Sequence, residues 1–293
     1  MAVSPGDLTF VTTCKGRLSH LQKSLPRMCA QQGAQVVVVD YACPDGAANW
    51  VRANFPQVTV VREQHDTGWV ASRARNMGAA AVKTSWIMFI DADMLLDDVF
   101  AARVFPSLEP GKYYRAAPWS MQNWGNVICE RTPFLKFGGY DEVYRGWSVE
   151  DDDLYDALEM QGARRSEFPS VLMSEIDHGN ELRTRFHDVS MMTSYRINKI
   201  YRQIKLDITH IIRSSLPLAE RQRIFDEVKR RITNLENGAR SNGKLIFRIP
   251  DLVPSAPPSI PASEARNTRL TRALQYEIIL DGDVPGRNDL PSE

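Results

Sequence analysis

The sequence carries no excess of charge of either sign: 36 Lys and Arg stand against 36 Asp and Glu in 293 residues. With no net field to attract polyanions, nothing points to nucleic acid as a partner, and none is expected. Cysteine is scarce. Cys14, Cys29, Cys43 and Cys129 form no Cys-x-x-Cys and are too few for a disulfide framework, so a reduced, cytoplasmic compartment is expected. No apolar run approaches the ~18 residues of a membrane span; the longest, Val36–Val39 and Trp86–Ile90, have strand length. The opening Met1–Asp7 has neither a basic n-region nor an h-region, so no signal peptide is expected. No internal repeat is present. What remains, 43% hydrophobic and 25% charged residues, is the balance of a soluble globule with a sizeable core, which excludes wholesale disorder and a fibrous protein. The length suits one large α/β domain with an appendage, or two modest domains.

The first ninety residues alternate short apolar runs with helical patterns. Leu8–Thr13 reads as a strand, and Leu18, Leu21, Leu25 and Met28 recur at helical spacing. Gln35–Asp40 is a continuous apolar strand. A short helix at Ala47, Trp50 and Val51 precedes the strand Val58–Arg62, and a helix over about Val70–Val82 precedes the strand Trp86–Asp91. Such strands, separated by helices, predict βαβ units and a mainly parallel sheet. Ligands of such sheets gather beyond the carboxyl ends of the strands. Three strands end there on useful residues: Thr12-Thr13-Cys14-Lys15, Asp40 and Asp91-Ala92-Asp93.

From Tyr113 the pattern changes. Short strands at Tyr113–Ala117 and Asn126–Glu130 enclose the Trp- and Gly-rich loop Trp119–Gly125, and a helix is expected over Glu150–Met160. Beyond Ser190 the chain becomes helical and basic. Ile197, Ile200, Tyr201, Ile204, Ile208 and Ile211 form one apolar stripe; Ile224, Phe225, Val228, Ile232 and Leu235 form a second, after a start marked by Ser215 and Pro217. Prolines cluster after Ile249, as in an extended arm. The expected division is residues 1–190, a basic helical extension over 191–248, and a Pro-rich arm or tail over 249–293.

Candidate chemistry sits in four places. At the strand-to-loop turn of Asp91-Ala92-Asp93 both carboxylates can approach one cation, and Mn2+ or Mg2+ takes carboxylate oxygens together with substrate phosphates and water. A solvated turn is the plain alternative, disfavoured by the buried strand Ile87–Ile90 in front of it. Glu150-Asp151-Asp152-Asp153 would complement a helix dipole; packed together, such carboxylates also raise the pKa of at least one of them, which suits general-base work. Trp147, just before them, offers a flat apolar face for a sugar ring. His178, in Asp177–Asn180, supplies an imidazole near a turn; His187 is its rival, and His20, His65 and His210 are less well placed. Lys15 and Arg17 flank Gly16 just after the first strand, where cations and free amides can hold phosphate. Arg73 and Arg75, in Ser72–Gly78, offer the same cleft one more cation.

In this order, these elements resemble the GT-A glycosyltransferases over residues 7–190. Val36-Val-Val-Val-Asp40, Ala74-Arg-Asn-x-Gly78 and Phe89-Ile-Asp-Ala-Asp93 are similar to the series of family-2 glycosyltransferases. The resemblance implies that Asp40 contacts the nucleoside base, Asp91 the ribose or metal region, and Asp93 the metal. Phe137-Gly-Gly-Tyr-Asp-Glu142, Arg145-Gly-Trp147 and Glu150-Asp-Asp-Asp153 resemble the Gly-Phe, Trp-Gly-Trp-Gly-Gly and Glu-Asp-Asp-Asp run of β-1,4-galactosyltransferases, a branch shared in part with polypeptide N-acetylgalactosaminyltransferases. In that family a downstream His binds the metal, and His178 matches it. Lys15-Gly-Arg17-Leu-Ser-His20-Leu21 is similar to that family's Arg-Asn-Arg-x-x-His-Leu, whose cations serve the nucleotide. Ser148-Val149 stands where that family has Gly-Gly, and Lys15 where it has Arg. No resemblance covers the basic helices.

The resemblance implies Asp151 as catalytic base, with Glu150 as the alternative. It implies Asp93, His178 and Asp91 at Mn2+ or Mg2+, and Thr12, Lys15, Arg17, Asp40, Arg75 and Asp91 at the nucleotide. Trp147, Glu150 and Asp152 would meet the acceptor. The leading expectation is a metal-dependent glycosyltransferase with a GT-A mixed, mainly parallel sheet flanked by helices and a C-terminal helical extension. It would move a sugar from a nucleotide sugar, UDP-linked Gal, GalNAc or GlcNAc, to a glycan hydroxyl with inversion. Residues 196–248 hold 13 Lys and Arg against 5 Asp and Glu. Peripheral contact with the inner face of a membrane and a lipid-linked or acidic acceptor are therefore further expectations; a homo-oligomer is compatible with them. A retaining N-acetylgalactosaminyltransferase-like enzyme is the alternative reaction. A sugar-nucleotide pyrophosphorylase would want a Gly-rich, Arg-containing loop that Thr12–Arg17 does not supply. A non-catalytic nucleotide- or carbohydrate-binding module is the alternative of another class; the presence of both Asp-Ala-Asp and the full acid run counts against it.

Overall fold

In the computed structural model, which describes residues 7–179, 181–237, 243–250 and 273–280, the chain divides into two compact units, residues 1–191 and 192–293. The first opens with β1 (Leu8–Cys14), α1 (Leu18–Cys29), β2 (Ala34–Tyr41), α2 (Ala47–Asn54), β3 (Thr59–Glu63), α3 (Ala71–Ala81) and β4 (Trp86–Phe89). There follow β5 (Met94–Leu96), α4 (Phe100–Val104), β6 (Lys112–Ala117), β7 (Val127–Glu130), α5 (Arg131–Lys136), α6 (Glu150–Met160), β8 (Arg164–Pro169), β9 (Met173–Glu175) and α7 (Glu181–Thr184).

Seven strands form one sheet in the order β3-β2-β1-β4-β7-β6-β8. β3, β2, β1 and β4 run parallel, with Phe10 opposite Val36 and Met88; β7 is antiparallel to both its neighbours, and β8 is parallel to β6. This is the mixed, mainly parallel sheet that the sequence pattern predicts. Alternation along each strand sorts its side chains to two faces. Phe10, Val38 and Met88 meet Leu21 and Leu25 of α1 and Val51 of α2; Val11, Val39 and Phe89 meet Ala74 and Ala79 of α3 and Leu154 of α6. Each wholly buried Phe or Leu contributes about 1.5–3 kcal/mol relative to exposure, so both layers hold the strand ends rigidly in register.

β4 is shorter than the run Trp86–Asp91 suggests, because the chain leaves the sheet after Phe89 and Asp91 lies in the following turn. A small antiparallel ribbon of β5 and β9, which the sequence pattern does not reveal, then pairs Met94 with Glu175.

The second unit contains α8 (Met191–Ile212), α9 (Leu218–Asn237), β10 (Gly243–Pro250) and β11 (Ala273–Leu280). Ile197, Tyr201, Ile204 and Ile208 of α8 are buried, as are Ile224, Phe225, Val228 and Ile232 of α9, and the rings of Tyr201 and Phe225 meet edge-on at 5.5 Å. Ile211, expected in the first stripe, is 44% exposed at the end of α8. β10 and β11 pair antiparallel, so residues 243–248 are strand rather than helix, and a second strand lies within the expected tail. The remainder of that Pro-rich tail, the side chain of Leu235 and Asn180 lie outside the described residues. Among the described residues, no helix is long and apolar enough to cross a membrane.

Candidate active site

Glu150 and Asp151 open α6, and the chain reaches them through a strained turn. Ser148 and Val149 adopt φ of 77° and 82°, the left-handed region that favours glycine and that a β-branched residue rarely enters. The departure from Gly-Gly thus keeps a glycine-like backbone. Arg75 of α3 ties the turn to the sheet: its Nη1 donates to Glu150 Oε1 at 3.3 Å and Asp151 Oδ1 at 3.0 Å, and its Nη2 to Asp91 Oδ1 at 3.1 Å. The guanidinium also lies 5.1 Å from the centre of the Tyr140 ring. One buried cation therefore faces three carboxylates. Burial, opposed by Arg75 and reinforced by Glu150 and Asp91, pushes the Asp151 carboxyl up to about 7. Burial raises Glu150 as well. Arg75 stays charged, because the carboxylates and Tyr140 around it outweigh its own desolvation. Gly125 closes the other side: a Cβ there would lie 2.8 Å from Asp151 Oδ2 and 3.1 Å from Arg75 Nη2, so only glycine lets the Trp119–Gly125 loop approach this closely. Asn126, fully buried, accepts the Asp91 amide through Oδ1 at 3.0 Å.

The β5–β9 ribbon assembles a second cluster. Ile176 N donates to Asp93 O at 2.8 Å, just before His178 leaves the ribbon. His178 Nε2 consequently lies 2.6 Å from Asp93 Oδ2, although the two residues are 85 positions apart. His178 Nδ1 faces Gly179 O at 3.0 Å, the kind of second contact that orients a metal-binding imidazole. Arg17 Nη1 donates to the same Asp93 oxygen at 2.7 Å, and the His20 ring stands 5.3 Å from that of His178. A cation already sits on Asp93, which marks the spot as one that takes positive charge. Among the described residues no three His, Cys, Asp or Glu side chains converge as a metal site. Two protein ligands nevertheless fit Mn2+ or Mg2+, which fill their remaining positions with water and substrate phosphate. Asp91, expected beside Asp93, is not brought to this cluster. The turn after β4 hands it to Arg75 instead.

The expected nucleotide residues divide. Lys15 Nζ donates to Asp66 O at 2.7 Å and lies 5.5 and 5.2 Å from the Tyr41 and Phe186 rings; burial lowers its pKa. Lys15 and Arg17 stand at the carboxyl end of β1. Thr12 and Asp40 do not face the cleft. Thr12 alternates with Phe10 and Cys14 on the face covered by α1 and α2, and is fully buried. Asp40 is also fully buried, because its Oδ1 accepts the Cys43 amide and its Oδ2 the Ala48 amide, each at 2.7 Å, at the start of α2. Asp40 thus ties the end of β2 to the first turn of α2.

Of the residues expected at the acceptor, Trp147 is half-buried in the turn before α6. Asp152 accepts Trp124 Nε1 at 3.1 Å. Arg115 is buried with its guanidinium 3.8 Å from the Trp124 ring centre and 4.1 Å from that of Tyr155. Trp119 packs edge-on against Trp124 at 5.1 Å yet remains 44% exposed, beside Met121 at 48%. The Trp-rich loop was visible as composition. Its partnership with Asp152, like the roles of Tyr140, Asn126 and Gly125, had no local signal.

Comparison with known proteins bears on the fold. Residues 9–124 match the family model described as glycosyl transferase family 2, and residues 111–187 match that of the N-terminal domain of galactosyltransferase. A pre-mycofactocin glycosyltransferase of Mycobacterium tuberculosis is 28% identical over 215 residues, 60% of this chain and 44% of that protein. The chain thus spans less than half the length of the curated relatives it matches. Among solved structures, the mannosyltransferase PcManGT from Pyrobaculum calidifontis, in complex with GDP-Man and Mn2+, superposes with a TM-score of 0.51 at 17% identity, over 81% of this chain and 78% of that one. TarS 1-349 of S. aureus in complex with UDP-GlcNAc gives 0.54 at 12% identity, over 80% and 74%. Residues 9–187 have the GT-A fold and are similar in sequence to glycosyltransferase domains.

Proposed function

We propose that the protein transfers a sugar from a nucleotide sugar, UDP-linked Gal, GalNAc or GlcNAc, to a glycan hydroxyl with inversion. The observation that carries this reading is the half-buried Glu150–Asp151 pair, held by the buried Arg75 at the rim of the parallel sheet. A carboxylate there, with its proton affinity raised towards neutrality, suits general-base work. In this reading the acceptor hydroxyl oxygen attacks the anomeric carbon, the bond from that carbon to the diphosphate breaks, and the proton passes to Asp151. Glu150 is the alternative base. Lys15 and Arg17 balance charge on the departing diphosphate. A divalent cation, Mn2+ or Mg2+, would be held by Asp93 and His178 and would supply Lewis-acid charge against the same diphosphate. Incubation with each nucleotide sugar, with and without Mn2+, tests the reading. Metal-dependent release of nucleoside diphosphate is expected, and NMR of the product anomer distinguishes inversion from retention. Tight nucleotide binding without turnover of any donor would instead favour a binding module.

The metal assignment predicts a separable pair of mutants. Asp93→Ala should abolish transfer and metal-dependent UDP binding. His178→Ala should weaken apparent Mn2+ affinity, read by titration, more than it lowers the melting temperature. Unchanged titration curves in both would remove these residues from the site.

Trp147 is assigned to the acceptor sugar. Trp147→Ala should raise acceptor KM several-fold through loss of the apolar face that covers the sugar ring, while slow donor hydrolysis persists. A collapse of thermal stability without a selective acceptor effect would make it a packing residue.

Peripheral membrane contact is assigned to residues 196–248. On α9, Arg223 pairs with Glu220, and Arg230 and Arg231 with Glu227, so part of the basic charge is balanced within the helix. Each basic residue near an anionic bilayer contributes about 1 kcal/mol. Co-sedimentation with anionic but not neutral liposomes, weakening with salt, is expected. Equal behaviour with both lipids would leave these helices as packing elements.

A further inference from the structure

Two of the four cysteines meet at the loop that carries Lys15 and Arg17. Cys14 ends β1, Cys43 lies just past β2, and their Sγ atoms are 3.8 Å apart. Cys14 is fully buried and Cys43 is 8% exposed. The Cys43 sulfur is an acceptor: the Gly16 amide donates to it at 3.2 Å, and the backbone amides of Asp45 and Ala47, at the start of α2, turn to the same atom. The hydrogen bond from the Cys14 thiol and these amides outweigh burial and lower the Cys43 pKa to about 6, so it is largely thiolate at neutral pH. Cys14 is shifted the opposite way. Burial also pushes Cys29, to about 11, and Cys129 up, and both stay protonated.

The Gly16 contact matters because the loop has little freedom. Gly16 has φ of +66°, and a Cβ there would lie 2.7 Å from the Phe186 ring. Its two neighbours are the cations Lys15 and Arg17. Cys43 Sγ therefore fixes the backbone between the two groups assigned to the diphosphate.

We propose that Cys14 and Cys43 are a hydroperoxide-sensitive pair whose oxidation to a disulfide releases the Gly16 loop and weakens nucleotide binding. The Cys43 thiolate attacks the peroxide oxygen; an S–O bond forms, the O–O bond breaks, and hydroxide leaves, giving a sulfenic acid. The Cys14 sulfur then attacks Cys43 Sγ, the S–O bond breaks, and the Cys14 proton leaves with the hydroxyl group as water. Both sulfurs are oxidised and the peroxide is reduced. The 3.8 Å gap closes to about 2 Å, drawing Cys43 Sγ away from the Gly16 amide. The link to nucleotide binding rests on the function proposed above; the pair and the loop do not.

The full chain is treated with hydrogen peroxide, alkylated, digested and analysed by mass spectrometry, before and after dithiothreitol. A reducible Cys14–Cys43 peptide is expected, with Cys29 and Cys129 alkylated. Cys14→Ser should stop Cys43 at a dimedone-trappable sulfenic acid, and Cys43→Ser should leave Cys14 unoxidised. Amide exchange at residues 14–18 should quicken on oxidation, and UDP affinity should fall at least tenfold and return with dithiothreitol. Oxidation spread evenly over the four cysteines, or no linked peptide, overturns the pair. A linked peptide with unchanged exchange overturns its coupling to the loop. If the reduced protein binds no nucleotide, the functional reading fails, while the peptide and exchange results still decide the pair.

Discussion

Asp151→Asn should lower turnover by roughly 10²–10⁴-fold, the usual scale for loss of a general base, while donor affinity stays near that of the wild type. Asparagine keeps the Oδ1 acceptor that Arg75 Nη1 reaches at 3.0 Å and Tyr140 at 3.4 Å, so the turn into α6 is preserved and only the proton acceptor is lost. The pH profile provides a second reading. Because burial lifts the Asp151 carboxyl to about 7, and the base must be ionised, kcat/KM should rise with pH through about 7 and then level off. Wild-type turnover in the mutant would transfer the role to Glu150.

The same shift has a stability consequence of opposite sign. Asp151 binds its proton more tightly in the folded protein than its ordinary value of 3.8 allows in the unfolded chain. Its contribution to stability is fully present below that value and is lost as pH rises through about 7. The melting temperature of the substrate-free wild type should therefore decline more steeply across this window than that of Asp151→Asn. Parallel curves would mean that the carboxyl is solvated and titrates normally.

How much of this was legible depends on where each signal lives. β2 and β4 were readable because strands buried on both faces carry apolar runs, as in Val36–Val39 and Trp86–Ile90. Glu150–Met160 was readable because its acids mark a helix start. The β5–β9 ribbon was not: three residues per strand cannot display a period, yet this ribbon helps bring His178 to Asp93. That pairing was reachable only through family resemblance. Asp40 shows the converse case. An acid at a strand end reads as a ligand contact, and nothing local marks the amides of Cys43 and Ala48 as its partners in the fold. Arg73 and Arg75 look equivalent in sequence; in the structure Arg73 pairs with Glu63 on the surface and Arg75 is buried.

Arg75→Met should be the most damaging change, and its damage should depend on pH. Methionine fills much of the same space but removes the cation that bonds Glu150, Asp151 and Asp91 together. Breaking a buried ion pair by deleting one partner costs roughly 3–5 kcal/mol, because the other charge is left uncompensated. Here that cost can be escaped by protonation. Arg75 lowers the proton affinity of both Glu150 and Asp151, so without it both carboxyls move further up. The mutant should therefore lose most stability at pH 8, where the acids must ionise, and much less at pH 5, where they stay neutral. Turnover should be nearly absent at pH 7 and recover in part at higher pH, as Asp151 regains its charge. Arg75→Lys should fall between, since a point charge lacks the fork that reaches Asp91 and the α6 acids at once. Denaturant unfolding and kcat/KM, both measured at pH 5 to 9, check the prediction. A loss of stability equal at every pH would show that Arg75 acts by packing, with no hold on the charge state of Asp151.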